Sequence, residues 1–166
     1  MHFDLAEKFN LPMYLHSRNC EEDFIRIVKE NLHRFPGGCV HSFTGSEKEL
    51  DEILAMGLYV GVNGCSLKTE ENLEMVKRIP LDRIMLETDC PYCEIKNSHA
   101  SMKLVKTKIE GAKDKKKWNA ENMVKGRNEP CKIIQVCEVV AALKGVSEEE
   151  LAKIAYENSC KVFARE

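Results

Sequence analysis

The sequence predicts an α/β fold in which parallel strands are each followed by a helix. Two patterns support this prediction. Apolar runs alternate with helical segments at intervals of about 20 to 26 residues, the spacing of βα units. The apolar runs are also continuous rather than alternating, as in strands that are covered on both faces. Periodicity alone leaves two architectures open, a doubly wound sheet and part of a barrel.

Four strand–helix signals justify this prediction in order. Apolar runs predict strands at residues 11–16, 38–41, 58–62 and 83–87, so that the strand ends fall near residues 16, 41, 62 and 88. Helical spacing of apolar residues predicts helices at residues 21–32, 46–56 and 69–79. Ser46 and Glu49 have the spacing of a capping box, and Thr69 stands at a capping position.

The pattern changes after the fourth strand. Residues 97–127 are polar and irregular, which predicts a long surface loop. Two helices are then predicted, one from residue 130 to 143 that begins with a proline in its first turn, and one from Ser147 to Tyr156. Within residues 103–118 the only acidic residues are Glu110 and Asp114, and the basic residues are Lys103, Lys106, Lys108, Lys113, Lys115, Lys116 and Lys117. This concentration of positive charge predicts either a solubilising surface or a contact with the DNA backbone.

Composition limits the class of protein. With 166 residues, 43% hydrophobic and 31% charged, the chain is expected to form one domain over residues 1–166. A net charge of −2 argues against indiscriminate binding to nucleic acid. No apolar run reaches the roughly 18 residues of a membrane span, and the first residues lack the pattern of a signal peptide. We therefore expect no membrane contact and a location in the nucleus or cytoplasm.

Eight cysteines admit more than one interpretation. A disulfide framework is typical of secreted chains, so reduced thiols are the expectation here. Cys90 and Cys93 form a C-x-x-C motif like that of a glutaredoxin, which requires a helix that begins inside the motif. The residues that follow predict a loop instead, so redox chemistry between these two cysteines is not favoured. A zinc knuckle would need a second close pair, and the sequence has none.

Three potential metal ligands stand at predicted strand ends. His16, His41 and Asp89 each close a different strand, and such ends converge on one face of a parallel sheet. Imidazole and carboxylate together suit divalent ions, and a pair of ions can clamp a phosphoryl transfer. A single histidine is more often a hydrogen-bonded structural residue, but the recurrence at three strand ends favours a site. His2 and His33 are predicted to be surface residues.

Five segments resemble the motifs of TatD-type deoxyribonucleases. The similar segments, in family order, are residues 11–18 (LPMYLHSR), 40–45 (VHSFTG), 61–66 (GVNGCS), 86–92 (LETDCPY) and 127–130 (RNEP). They cover nearly the whole chain. The lysine-rich loop and the NGCS variant resemble the eukaryotic branch of the family.

The resemblance implies a fold, an activity and a site. The fold is a TIM-type barrel, and the activity is metal-dependent hydrolysis of DNA as a 3′ to 5′ exonuclease. Divalent ions, Mg, Mn or Zn and two in the full-length protein, would be held by His16, His41 and Asp89. Asp89 would also orient the attacking water or accept its proton. The residues implied in DNA binding are Arg18, Asn63, Tyr92 and His99, for which loop packing is an equal alternative.

The chain also departs from the family pattern. A family member carries His-x-His on its first strand and a bridging glutamate on its fourth, and residue 1 here corresponds to the helix before the fifth strand. We therefore expect an N-terminally truncated domain, a partial barrel of about four βα units plus C-terminal helices, with weak or no nuclease activity of its own. The alternative is a catalytically inactive half-barrel that acts in interaction or regulation and self-associates through its exposed edge.

Overall fold

A four-stranded parallel sheet forms the centre of the protein. The computed structural model describes residues 1–109, 113–117 and 119–164. Strand order follows the chain, and the strands are β1 (Met13–His16), β2 (Gly38–His41), β3 (Tyr59–Val62) and β4 (Ile84–Leu86). All three strand pairs are parallel. The predicted α/β fold with four parallel strands is confirmed.

Six α-helices accompany the sheet in the described part of the chain. They are α1 (His2–Phe9), α2 (Glu21–Asn31), α3 (Glu47–Ala55), α4 (Glu70–Arg78), α5 (Ile133–Lys144) and α6 (Glu148–Phe163). The last helix runs beyond its predicted end at Tyr156, because the Asn158 side chain donates to the carbonyl oxygens of Leu81 and Ile84, both at 2.9 Å. None of these helices is long and apolar enough to cross a membrane.

Strands β2, β3 and most of β4 are buried because they are almost entirely apolar, whereas Tyr14 and His16 of β1 are exposed. Val40 is 1% exposed, while Val60 and Val62 are fully buried. Helices cover the outer face and contribute Leu50, Ile53, Leu73, Val139 and Leu151 to the same core. Burying a side chain of this kind stabilises a fold by about 1.5–3 kcal/mol. This packing fixes the strand ends, and the strand ends in turn position the loops that follow them.

Helix starts are set by the predicted capping residues. The Ser46 hydroxyl accepts a hydrogen bond from the Glu49 backbone at 3.1 Å, and Thr69 and Asn72 form a reciprocal capping box. The predicted box of Ser46 and Glu49 is only half formed, because the Glu49 carboxylate accepts a hydrogen bond from Ser17 instead. Helix α3 is therefore tied to the loop that follows β1.

The prediction of a long surface loop is partly wrong, because the first part of this segment is packed against the core. Residues Ala100–Leu104 form a 3-10 turn with Ser101 fully buried, and Leu104 packs against the core. The buried carboxylate of Glu138 accepts hydrogen bonds from the backbone of Lys106 and Thr107, at 2.8 and 3.0 Å, and so anchors the next residues. The polar composition of this segment gave no indication of this packing. Glu110 and Trp118, from the lysine-rich stretch, lie outside the described residues.

The C-terminal end of helix α4 is capped by Lys144, the last residue of α5. The Lys144 ammonium donates to the carbonyl oxygen of Lys77 at 2.7 Å and to that of Ile79. Both carbonyls follow or close α4, whose last turn leaves them without partners inside the helix. Burial lowers the pKa of Lys144 to about 8.

Candidate metal centre

His16 and His41 meet at the carboxyl ends of β1 and β2. The parallel register places the two residues directly opposite each other. His16 Nδ1 lies 2.8 Å from His41 Nε2, and the ring centroids are 4.7 Å apart. Two ring nitrogens at this distance either share a proton or direct their lone pairs at one cation.

The spacing of the pair is close to that of two ligands of one metal ion. Imidazole nitrogens sit about 2.0–2.1 Å from a bound zinc ion, so two of them on one tetrahedral ion lie about 3.3 Å apart. The observed 2.8 Å is shorter and matches a hydrogen bond between the rings, so the rings would have to move slightly apart to share an ion. Within residues 1–109, 113–117 and 119–164, however, no group of three or more His, Cys, Asp or Glu residues is arranged to hold a metal. The structure thus joins two of the three predicted ligands.

Glu87 is a site residue that the sequence reasoning missed. Its carboxylate accepts hydrogen bonds from the Tyr14 hydroxyl and the Ser42 backbone. Its Oε2 also lies 3.5 Å from His41 Nδ1, the nitrogen opposite the one that faces His16. This contact is too long for a hydrogen bond, and His41 Nδ1 has no hydrogen-bond partner among the described residues. A carboxylate behind a ligating histidine is a common means of orienting the ring.

The environment of Glu87 depends on two neighbouring residues. A Cβ on Gly61 would stand 2.6 Å from Glu87 Oε1, so only glycine lets the carboxylate lie across β3. Tyr14 stacks on the His41 ring with centroids 4.8 Å apart. Burial, together with the hydrogen bond to Glu87, raises the pKa of Tyr14 above its ordinary value, so its hydroxyl remains a donor at neutral pH.

Asp89 begins a tight turn after β4. It has a left-handed backbone with φ of 54°, and its carbonyl oxygen accepts from the Tyr92 backbone at 2.9 Å. The Cys93 thiol lies 3.2 Å from Asp89 Oδ2 and donates to it. Burial first, then the contacts with Cys65 and Asp89, raises the pKa of Cys93, so the thiol keeps its proton at neutral pH.

Asn128, from the RNEP segment, holds the Asp89 turn from outside. Its side-chain amide donates to the Thr88 carbonyl at 2.9 Å, and its backbone N–H donates to the Pro91 carbonyl at 3.0 Å. Asn128 is 5% exposed. Two segments that are distant in sequence are thereby joined at the site.

Backbone strain concentrates at the same strand ends. Asn19, Ser42, Asp89 and Cys93 all have positive φ between 53° and 55°. They follow β1, β2 and β4, where the predicted ligands stand. Non-glycine residues in this conformation cost energy and cluster at functional sites.

The four residues predicted to bind DNA fall into two groups. Arg18 and Tyr92 are exposed on the loops after His16 and Asp89, and Tyr92 is 71% exposed. Asn63 and His99 are buried beside the turn after β3. Asn63 accepts from the Cys65 backbone at 2.9 Å and caps that turn. Their placement in DNA binding remains a prediction.

Both buried residues have unpaired polar atoms. Asn63 Nδ2 and His99 Nδ1 are without hydrogen-bond partners among the described residues. Burial lowers the pKa of His99, and the charges of Lys68 and Lys96 lower it further. The imidazole of His99 is therefore neutral at pH 7.

A cleft opens beside the Asp89 turn. Its walls come from the turn itself, the lysine-rich loop and the segment before α5. The lining residues include Cys90, Pro91, Lys115, Arg127, Asn128 and Pro130. Lys115 and Arg127 bring two positive charges to this cleft, and Glu129 brings one negative charge.

Comparison with known proteins identifies one family. The family model for TatD-related DNase matches residues 1–164. The chain is 50% identical over 163 residues to Deoxyribonuclease Tat-D of Schizosaccharomyces pombe, covering 97% of this chain and 52% of that protein. It is 36% identical to the 3′-5′ ssDNA/RNA exonuclease TatD of Rahnella, covering 96% and 54%, and 33% identical to the uncharacterized metal-dependent hydrolase YabD of Bacillus subtilis, covering 96% and 53%.

A solved structure agrees with this match. The crystal structure of a TatD family hydrolase from Entamoeba histolytica superposes with a TM-score of 0.91 at 36% identity, covering 98% of this chain and 54% of that one. The chain thus spans about half the length of the relatives that it matches.

Proposed function

The chain belongs to the TatD-related DNase family, and from this membership we propose that it carries part of the active site of a metal-dependent nuclease. The proposed reaction is hydrolysis of DNA phosphodiester bonds in the manner of a 3′ to 5′ exonuclease. Relatives named as a deoxyribonuclease and as a 3′-5′ exonuclease support the proposal.

The pair of His16 and His41 is the observation that carries this proposal. Two imidazole nitrogens face each other at adjacent strand ends, 2.8 Å apart, and after a small separation of the rings they could bind one divalent ion, Mg, Mn or Zn. When bound, the ion would polarise the phosphodiester and favour ionisation of a water molecule. The protein holds the rings in place through the strand register and through Glu87 behind His41.

Asp89 is proposed as the third ligand and as the group that receives a proton from the attacking water. Its carboxylate stands at the end of β4, in a turn fixed by Asn128 and in contact with the Cys93 thiol. A fixed carboxylate lowers the entropic cost of proton transfer, because it needs little reorganisation during the reaction.

The exposed residues around the centre are suited to single-stranded DNA. Arg18 is placed for a phosphate contact, and the exposed ring of Tyr92 for stacking on a base. Lys115 and Arg127, which line the cleft beside Glu129, are placed for further phosphate contacts. We propose that Asn63 and His99, which are buried beside the turn after β3, contribute to DNA binding through their unpaired nitrogen atoms.

A nuclease assay tests the proposal. The chain should be incubated with single-stranded and duplex DNA, with magnesium, manganese or chelator, beside a longer protein that spans the full family length. We expect metal-dependent release of nucleotides from the 3′ end by the longer protein, and weaker turnover by the 166-residue chain. Asp89→Asn should abolish turnover without unfolding, because asparagine tolerates the left-handed backbone. Equal activity of Asp89→Asn and the unchanged protein would contradict the proposal.

Self-association is a second candidate, favoured by the edges of the sheet. In the described chain β1 and β4 each pair on one side, and an apolar groove beside β4 is lined by Leu86, Ile134 and Tyr156. Ile134 is 44% exposed and Tyr156 is 71% exposed. We propose that a second copy covers this edge. Light scattering across a range of concentrations should show a dimer that Ile134→Lys dissociates, and a monomer throughout would refute this candidate.

A further inference from the structure

Two thiols from different loops are in direct contact beside the candidate metal centre. Cys65 lies in the 3-10 turn Gly64–Leu67 after β3, and Cys93 closes the Asp89 turn after β4. Their sulfur atoms are 2.7 Å apart. The sulfurs of a disulfide are about 2.05 Å apart, so a small approach would allow a bond. Cys90, the C-x-x-C partner of Cys93, is exposed.

The backbone holds the two loops at this distance. A Cβ on Gly64 would overlap the carbonyl oxygen of Cys93, so glycine is required for the loops to come this close. The Asn63 side chain fixes the backbone of Cys65 from the other side. The two loops are therefore held with their thiols in contact.

We propose that Cys65 and Cys93 form a site of reversible thiol oxidation, whose co-reactant is a low-molecular-weight disulfide of the glutathione class. Cys65, as thiolate, attacks the small disulfide, which breaks and releases one RSH. The second thiol displaces the remaining RS group, forming the Cys65–Cys93 bond and a second RSH. Two protein thiols are oxidised, and one RSSR is reduced to two RSH. Both cysteines are partly exposed and so accessible to a small molecule.

Oxidation would change the surroundings of Asp89. The Cys93 thiol, which donates to Asp89 Oδ2 at 3.2 Å, loses its hydrogen when it enters a disulfide. The Asp89 turn also becomes covalently joined to the turn after β3. This inference does not rest on the nuclease proposal, because it concerns the state of the two thiols alone.

Peptide mapping tests the inference without reference to activity. Folded protein should be equilibrated with mixtures of reduced and oxidised glutathione, alkylated, and digested with trypsin without reduction. Cys65 lies in tryptic peptide 49–68, and Cys90 and Cys93 lie together in peptide 84–96. We expect these two peptides to be linked, with loss of two of the eight free thiols. Reducing agent should restore both thiols.

Matched variants assign the bond. Cys90→Ser should keep the linked peptides, whereas Cys65→Ser and Cys93→Ser should each lose them. Gly64→Ala should reduce the yield of linked peptide, because its methyl group separates the loops. A bridge between Cys90 and Cys93, or glutathione adducts without any link between the two peptides in unchanged protein, would overturn the inference even if a variant failed to fold.

Discussion

Glu87 Oε2 lies 3.5 Å from His41 Nδ1, on the side of the imidazole away from His16. Because the opposite nitrogen of His41 faces His16, the carboxylate can orient the ring without occupying the position of a metal ion. We expect Glu87→Gln to weaken binding of zinc or manganese by roughly 10- to 100-fold, the usual effect of losing such a partner. Isothermal titration calorimetry would measure it.

The matched control for this variant is Glu74→Gln. Glu74 is an exposed residue of α4 that pairs with Lys77. Its substitution should leave metal affinity unchanged. If Glu87→Gln and Glu74→Gln bound the metal equally well, Glu87 would have no part in the site.

Asn128→Ala should loosen the Asp89 turn. The buried side chain of Asn128 donates to the Thr88 carbonyl at 2.9 Å, and truncation leaves that carbonyl without its donor. Loss of a buried hydrogen-bond partner costs about 1–3 kcal/mol of the free energy of unfolding. Urea denaturation would measure the loss. Asn119→Ala, in the exposed part of the lysine-rich loop, is the control. If both variants lowered the free energy of unfolding equally, Asn128 would not be what holds the Asp89 turn.

The pKa of His99 predicts a dependence of stability on pH. Because its folded pKa lies below the unfolded value of about 6.5, the unfolded chain binds more protons between these values. The free energy of unfolding should therefore fall as pH decreases through about 6.5 and level off below the folded pKa. Urea titrations between about pH 5 and 7.5 should show this slope, and His99→Gln should reduce it. His33→Gln, on the surface, should retain it.

The lysine-rich loop should contribute to DNA affinity in a way that depends on salt. Replacing Lys113, Lys115, Lys116 and Lys117 by glutamine should lower affinity for all sequences to a similar degree. The slope of log affinity against log salt should decrease by about 0.7 for each lost phosphate contact with single-stranded DNA. Fluorescence anisotropy would measure both. The control replaces four exposed lysines elsewhere, namely Lys8, Lys48, Lys153 and Lys161. Identical slopes for the two sets would favour a solubilising loop.

The sheet could be predicted from the sequence because its strands are continuous apolar runs. β2 begins and ends where the pattern placed it, and Ser46 and Thr69 mark the starts of α3 and α4. The end of α6 could not be predicted. Asn158 and Ser159 are poor helix formers, and only the hydrogen bonds from Asn158 to two distant carbonyls explain why the helix continues.

Site residues that end a strand could be predicted from the sequence. Site residues that depend on contacts between different loops could not. His16 and His41 follow from position in the sequence, since parallel strand ends converge. Glu87 was interpreted as the last residue of a strand, although its place two residues before Asp89 puts it on the same face. The pairing of Cys93 with Cys65 rather than Cys90 depends on the approach of two loops, which local spacing does not reveal.

The lysine that caps α4 is also a chemical handle. With its pKa lowered to about 8, Lys144 carries more neutral amine at neutral pH than an exposed lysine does. An acylating reagent attacks neutral amines, so Lys144 should be labelled early wherever the reagent reaches its half-buried position. The amide that forms cannot donate to both the Lys77 and Ile79 carbonyls as the ammonium does. Acylation of Lys144 would therefore weaken the contact between α4 and α5.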